Sequence, residues 1–169
     1  MKKIWNMISL LPLLFMLYII FFFSAQDGNT SGSLSLRICS FLVGISDRLF
    51  HLELSPVRMN ELAQSLQLLV RKCAHMTEYF ILAFTIYLPL HVLLPKQLHL
   101  LRFQHPKLLA TFFLGVLFAA LDEFHQHFVP GRCGTPVDVL IDTIGITVAC
   151  LFLYLGTRSA LRKRISFGG

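Results

Sequence analysis

A chain of 169 residues with 55% apolar and only 14% charged residues, and a mean hydropathy of +0.67, is too apolar for a soluble domain of this size and reads as an integral membrane protein. Its net charge of +6 comes from basic residues in short clusters beside apolar segments. No long basic stripe or RNA-binding motif accompanies them, so lipid phosphates and orientation signals account for the charge better than nucleic acid does. Cys39, Cys73, Cys133 and Cys150 show no CxxC spacing, which argues against a zinc knuckle or a thioredoxin-like motif and for packing roles.

Behind Lys2 and Lys3, residues 4–23 form a charge-free run of about twenty residues, enough to cross a hydrocarbon core about 30 Å thick. A signal peptide is the competing reading. The run is longer than a usual signal core, ends in three phenylalanines and precedes a poor cleavage site at Ser24-Ala25-Gln26, so a retained first span is expected. QDGNTSGS, residues 26–33, has turn and loop chemistry that breaks the helix. Residues 34–50 are apolar again, but Arg37, Ser40, Gly44, Asp47 and Arg48 recur at helical spacing as one polar stripe. That pattern predicts an amphipathic helix, either lying at the membrane interface or packed on its neighbours.

Ser55-Pro56 is a helix start, with a capping serine and proline at the first helical position. The helical pattern continues to Leu94, with Pro89 able to kink it, and its membrane span is expected at about 70–94. Spacings of four and three place Arg71, His75 and Glu78 on one face, while Lys72 points elsewhere, free to reach headgroups. On that ground Arg71→Ala is expected to destabilise more than Lys72→Ala. A basic loop with Lys96, Arg102 and Lys107 follows, and the nearby His91, His99 and His105 are spread as solvated or interfacial residues rather than as metal ligands. The third span is expected at 108–128, ended by Pro130-Gly131, and the fourth at 137–156, with Asp138 and Asp142 one turn apart at its start.

Lys and Arg near the spans number two before the first, three between the second and third, and four after the fourth. By the positive-inside rule those regions are cytoplasmic, giving four spans with both termini inside. The expected fold is therefore all-α, a polytopic membrane protein with four transmembrane helices and an extra interfacial amphipathic helix, in one domain covering 1–169.

This topology collects the charges of LDEFHQHFVPGRCGTPVDVLID, residues 121–142, with those of the second span at the outer face. Ionisable groups placed there pair with one another or line a functional cavity. If they only pair, they form a compensated network that ties helix ends together. Should Arg71, Lys72 and Arg132 keep donors free, the layer would hold a phosphate or carboxylate. Convergence of His75, Glu78, Asp122, Glu123 and His125 would instead suit a divalent metal and a metal-dependent hydrolase or transferase. No cofactor is named by the sequence, and no H-E-x-x-H or phosphatase motif is present.

The segments FSAQ at 23–26, RKCAHMTEY at 71–79, DEFHQHFVPGR at 122–132 and DVLIDTIG at 138–145 resemble, in order, the VanZ-like family of small bacterial membrane proteins. The resemblance implies a multi-pass bacterial membrane protein, in a family whose founding member is associated with low-level resistance to the glycopeptide teicoplanin. It carries the family's pattern onto Ser24 and Gln26 after the first span, and onto Arg71, Lys72, His75, Glu78 and Tyr79 in the second. Further along, the pattern falls on Asp122, Glu123, His125, Gln126, Pro130, Gly131 and Arg132, then on Asp138, Asp142 and Gly145. Aspartate at 142 stands where asparagine is more usual, and the added charge favours a cation or basic partner there. Together these readings nominate Arg71, Lys72, His75, Glu78, Asp122, Glu123, His125, Gln126, Arg132, Asp138 and Asp142 as ligand-binding residues, with membrane lipids and an anionic lipid-linked wall precursor as the expected partners.

Overall fold

A computed structural model describes residues 2–94 and 105–167 as six helices, with no strand among them. The basic loop with Lys96, His99 and Arg102 lies outside the described residues. The helices are α1 (Lys2–Ile8), α2 (Leu11–Ser24), α3 (Gly28–Phe50), α4 (Pro56–Leu93), α5 (Pro106–Gln126) and α6 (Pro136–Phe167). Four stretches are long and apolar enough to cross a membrane: Ile4–Ser24, Pro56–Leu93, Pro106–Gln126 and Pro136–Ser159. The protein is therefore an all-α, multi-pass membrane protein.

The first stretch is not one continuous helix. Pro12 has no N–H to give to the carbonyl of Ile8 and its ring crowds that turn, so the helix breaks at Ser9 and Leu10 and restarts as α2. The expected loop at 26–33 is also largely helical. Asp27 caps α3 by accepting from the Thr30 N–H at 2.8 Å, and the small residues behind it form the first turns of the helix. Their turn chemistry is overridden by tertiary contact: the Gln67 amide on α4 donates to the Gly32 carbonyl at 2.7 Å, and Ser31 and Ser35 are buried against the bundle.

Helix α4 is capped by Ser55, as the sequence predicts, and runs unbroken for 38 residues. At about 1.5 Å per residue it is roughly 57 Å long, nearly twice the hydrocarbon core. Its first half pairs with α3 around Cys39, Val43 and Ala63, while its second half is the centre of the membrane bundle. There Tyr79, Leu82, Ala83 and Ile86 meet Met16 and Ile20 of α2, Ala119 of α5, and Ile146 and Ala149 of α6. The cysteine reading holds for buried Cys39 and half-buried Cys150, whereas Cys73 and Cys133 are exposed.

Neighbour pairs fix the directions of the spans. Lys72, Met76 and Phe80 of α4 face Asp138, Gly145 and Phe152 of α6, so these two helices run parallel. Ser24 of α2 touches Gln126 of α5, and Lys107 at the start of α5 caps the Leu94 carbonyl beyond α4, so α2 and α5 run opposite to them. The C-terminal ends of α2 and α5, the N-terminal end of α6 and the middle of α4 thus share one level of the bundle.

Candidate functional site

Three sets of contacts build that level. The first is a clasp joining α2, α5 and the turn after α5. Gln126, buried, donates through Nε2 to Ser24 Oγ at 2.8 Å and to Asp122 Oδ2 at 3.0 Å. Its Oε1 accepts from Arg132 Nη1 at 3.0 Å, and Arg132 Nη2 donates to the Phe23 carbonyl in the last turn of α2 at 2.8 Å. Arg132 reaches this position because the chain reverses through Gly131, whose φ of +72° suits glycine. Gly28 packs so closely there that a side chain on it would collide with the Gly131 carbonyl. The Gly28 N–H also donates to the Pro130 carbonyl at 3.0 Å, which docks the start of α3 over the clasp.

The second set joins α4 to α6. Lys72 forms an ion pair with Asp138, both about one-third exposed or less. Lys72 therefore points at α6 and not at headgroups, because the parallel packing of α4 on α6 brings Asp138 to its side. Thr135 caps α6: its hydroxyl accepts from the Asp138 N–H at 3.2 Å and donates to Asp138 Oδ2 at 2.9 Å. The Thr135 N–H in turn donates to Glu123 Oε2 at 3.1 Å, which gives that buried carboxylate a partner.

The third set is defined by what lacks a partner among the described residues. Arg71 Nε, Arg132 Nε, His75 Nδ1, Glu78 Oε2 and both carboxylate oxygens of Asp142 are buried with no hydrogen-bond partner. His75 Nδ1 lies 3.3 Å from Glu78 Oε2, within ion-pair range but without hydrogen-bond alignment. Asp142 is only 1% exposed, and both it and Asp122 act electrostatically on His75. Arg71 reaches towards Gly32 of α3. Burial first, and then the neighbouring Arg71 charge, push the Arg132 guanidinium below its ordinary pKa, against the pull of Asp122, Glu123 and Glu78. Arg71 and Arg132 thus each keep a buried Nε–H without a partner, and the Arg71 charge weighs on Arg132.

A model of the VanZ/LLP1 family matches residues 9–157. The chain belongs to the VanZ/LLP1 family. No curated protein and no solved structure matches it. In this family member the stretch that matches takes in every residue of the three sets, and the eleven nominated residues separate into distinct positions. Arg71, His75, Glu78, Arg132 and Asp142 carry the unpartnered atoms, Asp122 and Gln126 support Arg132, and Lys72, Asp138 and Glu123 are occupied by each other or by Thr135.

His125 behaves differently. Its ring lies 5.0 Å from that of Phe21 and lines an apolar cavity between α2, α4 and α5. The four-ligand arrangement of His75, Glu78, Asp122 and His125 does not form, and among the described residues no three His, Cys, Asp or Glu side chains are grouped to hold a metal.

Thr135, Gln67, Gly32 and Gly28 belong to the level without having been nominated. Thr135 had a local signal, a threonine three residues before an aspartate at a helix start. The other three are joined by contacts across 35 to 100 residues or more, for which the sequence carries no local mark.

Proposed function

We propose that Arg71, Arg132, His75, Glu78 and Asp142 together bind the anionic head of a cell-envelope ligand, a phospholipid headgroup or a lipid-linked wall precursor. The observation that carries this reading is that two guanidiniums, those of Arg71 and Arg132, each keep a buried Nε–H with no partner among the described residues. Leaving such donors unmade is costly, about 1–3 kcal/mol each and more for charged groups, and an anion between them relieves both the lost hydrogen bonds and the mutual repulsion. The remaining acceptors, Asp142 and Glu78, suit a ligand that brings donors of its own.

We assign this level to the outer face of the membrane. Lys2, Lys3, Lys107 and Arg158 belong to helix ends at the opposite side of the bundle, and the positive-inside rule, which also counts Lys96, Arg102, Arg162, Lys163 and Arg164 from the sequence, makes that side cytoplasmic with both termini inside. A protein handling envelope lipids at the outer face is suited to the glycopeptide tolerance associated with the founding family member.

A second reading is catalysis. It is favoured by His75 lying beside Glu78 and within electrostatic reach of unpartnered Asp142, a histidine and carboxylates placed for proton transfer during hydrolysis or group transfer.

Thermal unfolding of detergent-purified protein tests the binding. Glycerol phosphate should raise the midpoint of the wild type and leave Arg71→Ala unmoved; equal protection of both, or of neither, would reject the anion site. Turnover of a phosphate ester that disappears in His75→Ala would establish the second reading. Orientation is checked in a background with Cys73 and Cys133 replaced by serine: Thr30→Cys should react with an impermeant thiol reagent on intact cells and Arg158→Cys should not. The opposite pattern would invert the topology.

A further inference from the structure

Beside the charged level the bundle contains a cavity of about 360 Å³ between α2, α4 and α5. This is a small example of the ~300–1,000 Å³ typical of ligand pockets. Its walls are mostly hydrocarbon, with Leu17, Ile20, Leu82 and Phe118 prominent; the polar side chains that line it are Tyr79, Asp122 and His125. The exposed side chains Phe21 and Leu121 also border it, so it adjoins the surface that the spans present to lipid. Asp122 belongs to both compartments: it lines the cavity, and its Oδ2 holds the Gln126 amide whose other end receives Arg132.

We propose that the cavity receives one acyl chain of an anionic glycerophospholipid whose hydroxylated head is held by Arg71, Arg132 and Asp142, an inference that rests on the anion-binding reading of those residues. Each part of such a lipid meets a matching group. The phosphate meets two guanidiniums with free N–H groups. Head hydroxyls donate to the Asp142 carboxylate and Glu78 Oε2, which have no donor among the described residues. At the head of the chain, the glycerol ester lies beside His125, whose buried Nδ1 also has no partner and in its protonated tautomer donates to an ester carbonyl.

A polyprenyl monophosphate brings the anion and the chain but no hydroxyl for Asp142, so it fits the same residues less fully. The chain enters from a bilayer as apolar as the cavity and gains little from desolvation. Selectivity therefore comes from the head, while the cavity fixes the direction in which the lipid lies.

A phosphatidylglycerol carrying a diazirine halfway along one acyl chain, added to detergent-purified protein and irradiated, tests this. Adducts should concentrate on Leu17, Ile20, Leu82 and Phe118. They should disappear in Leu17→Trp, which fills the cavity, and persist in Leu14→Trp, which adds the same bulk to the exposed face of α2. Unlabelled phosphatidylglycerol should compete at least tenfold better than phosphatidylethanolamine or a polyprenyl phosphate. Adducts scattered over exposed side chains such as Leu14 and Phe113, equal labelling of Leu17→Trp, or stronger competition by the polyprenyl phosphate would each overturn the proposal. If glycerol phosphate protects the wild type through Arg71 while the adducts scatter, only the acyl-chain inference falls. If neither is seen, the anion site falls with it.

Discussion

The two halves of the membrane bundle solve the same packing problem with opposite materials. Below Tyr79, α4, α5 and α6 meet through Leu82, Ile86, Ala119, Ile146 and Ala149, side chains with no hydrogen-bonding demand and so no preferred partner. Thr111, buried in this half, satisfies its own hydroxyl on the Lys107 carbonyl one turn back at 2.9 Å. Above Tyr79, nearly every contact is directional: a lysine to an aspartate, an amide to a hydroxyl, a guanidinium to a helix-end carbonyl. The apolar half is complete as it stands. Among the described residues the polar half has seven buried side-chain atoms without partners, although neighbouring groups such as Gln126 and Thr135 are hydrogen-bonded. Structural need alone would explain the bonded groups but not the unbonded ones, and that residue of unmet demand is what points to a ligand.

Paired glycines give the largest effect by which to probe this contrast. At the junction of the halves, a methyl on Gly145 would collide with the Met76 carbonyl and crowd the Phe80 N–H, both backbone atoms that cannot move without shifting α4. In the apolar half, a methyl on Gly115 would come within 3.1 Å of the Ile146 side chain, which can yield. Gly145→Ala should therefore destabilise by about 3 kcal/mol and Gly115→Ala by about 1 kcal/mol, the two ends of the usual overpacking range. Thermal unfolding in detergent reads both. Equal effects would show that the parallel contact of α4 on α6 is looser than described.

A smaller effect separates the bonded from the unbonded groups inside the polar half. Lys72→Ala removes a partly buried ion pair and frees Asp138, with an expected loss of about 1–2 kcal/mol, between the values for exposed and buried pairs. Arg71→Ala removes a charge whose Nε has no partner and which opposes Arg132, so its loss should stay under about 1 kcal/mol. This order is the reverse of the one that helical spacing suggests. Should Arg71→Ala prove the more damaging, the guanidinium is part of the compensated network and the case for a ligand there weakens.

What the sequence determined by itself was everything set by local composition. Hydrophobic length located the four membrane-spanning stretches, Ser55-Pro56 marked the start of α4, and the clustering of charge between residues 121 and 142 marked the level of the candidate site. These features are legible because solvation and helix capping act on neighbouring residues. The break at Pro12 was equally local, a consequence of one missing N–H, but it is hidden in the even apolarity of its surroundings.

Tertiary structure alone decided the partners. Spacing along α4 correctly groups Arg71, His75 and Glu78, yet only the parallel docking of α6 assigns Lys72 to Asp138 and leaves Asp142 without a donor among the described residues. The same is true of His125, which helical spacing sets beside Asp122 on the wall of the apolar cavity but whose ring neighbour, Phe21, only the approach of α2 supplies. The residues at 28–33 have the chemistry of a loop and become helix because α4 supplies a donor for Gly32 and the chain reversal at Gly131 supplies a surface for Gly28. Hydrogen bonds and ion pairs are short-ranged and directional, so which ones form depends on which helices come within about 3 Å of each other, and in this bundle residues more than 100 positions apart meet across the clasp at Ser24 and Gln126.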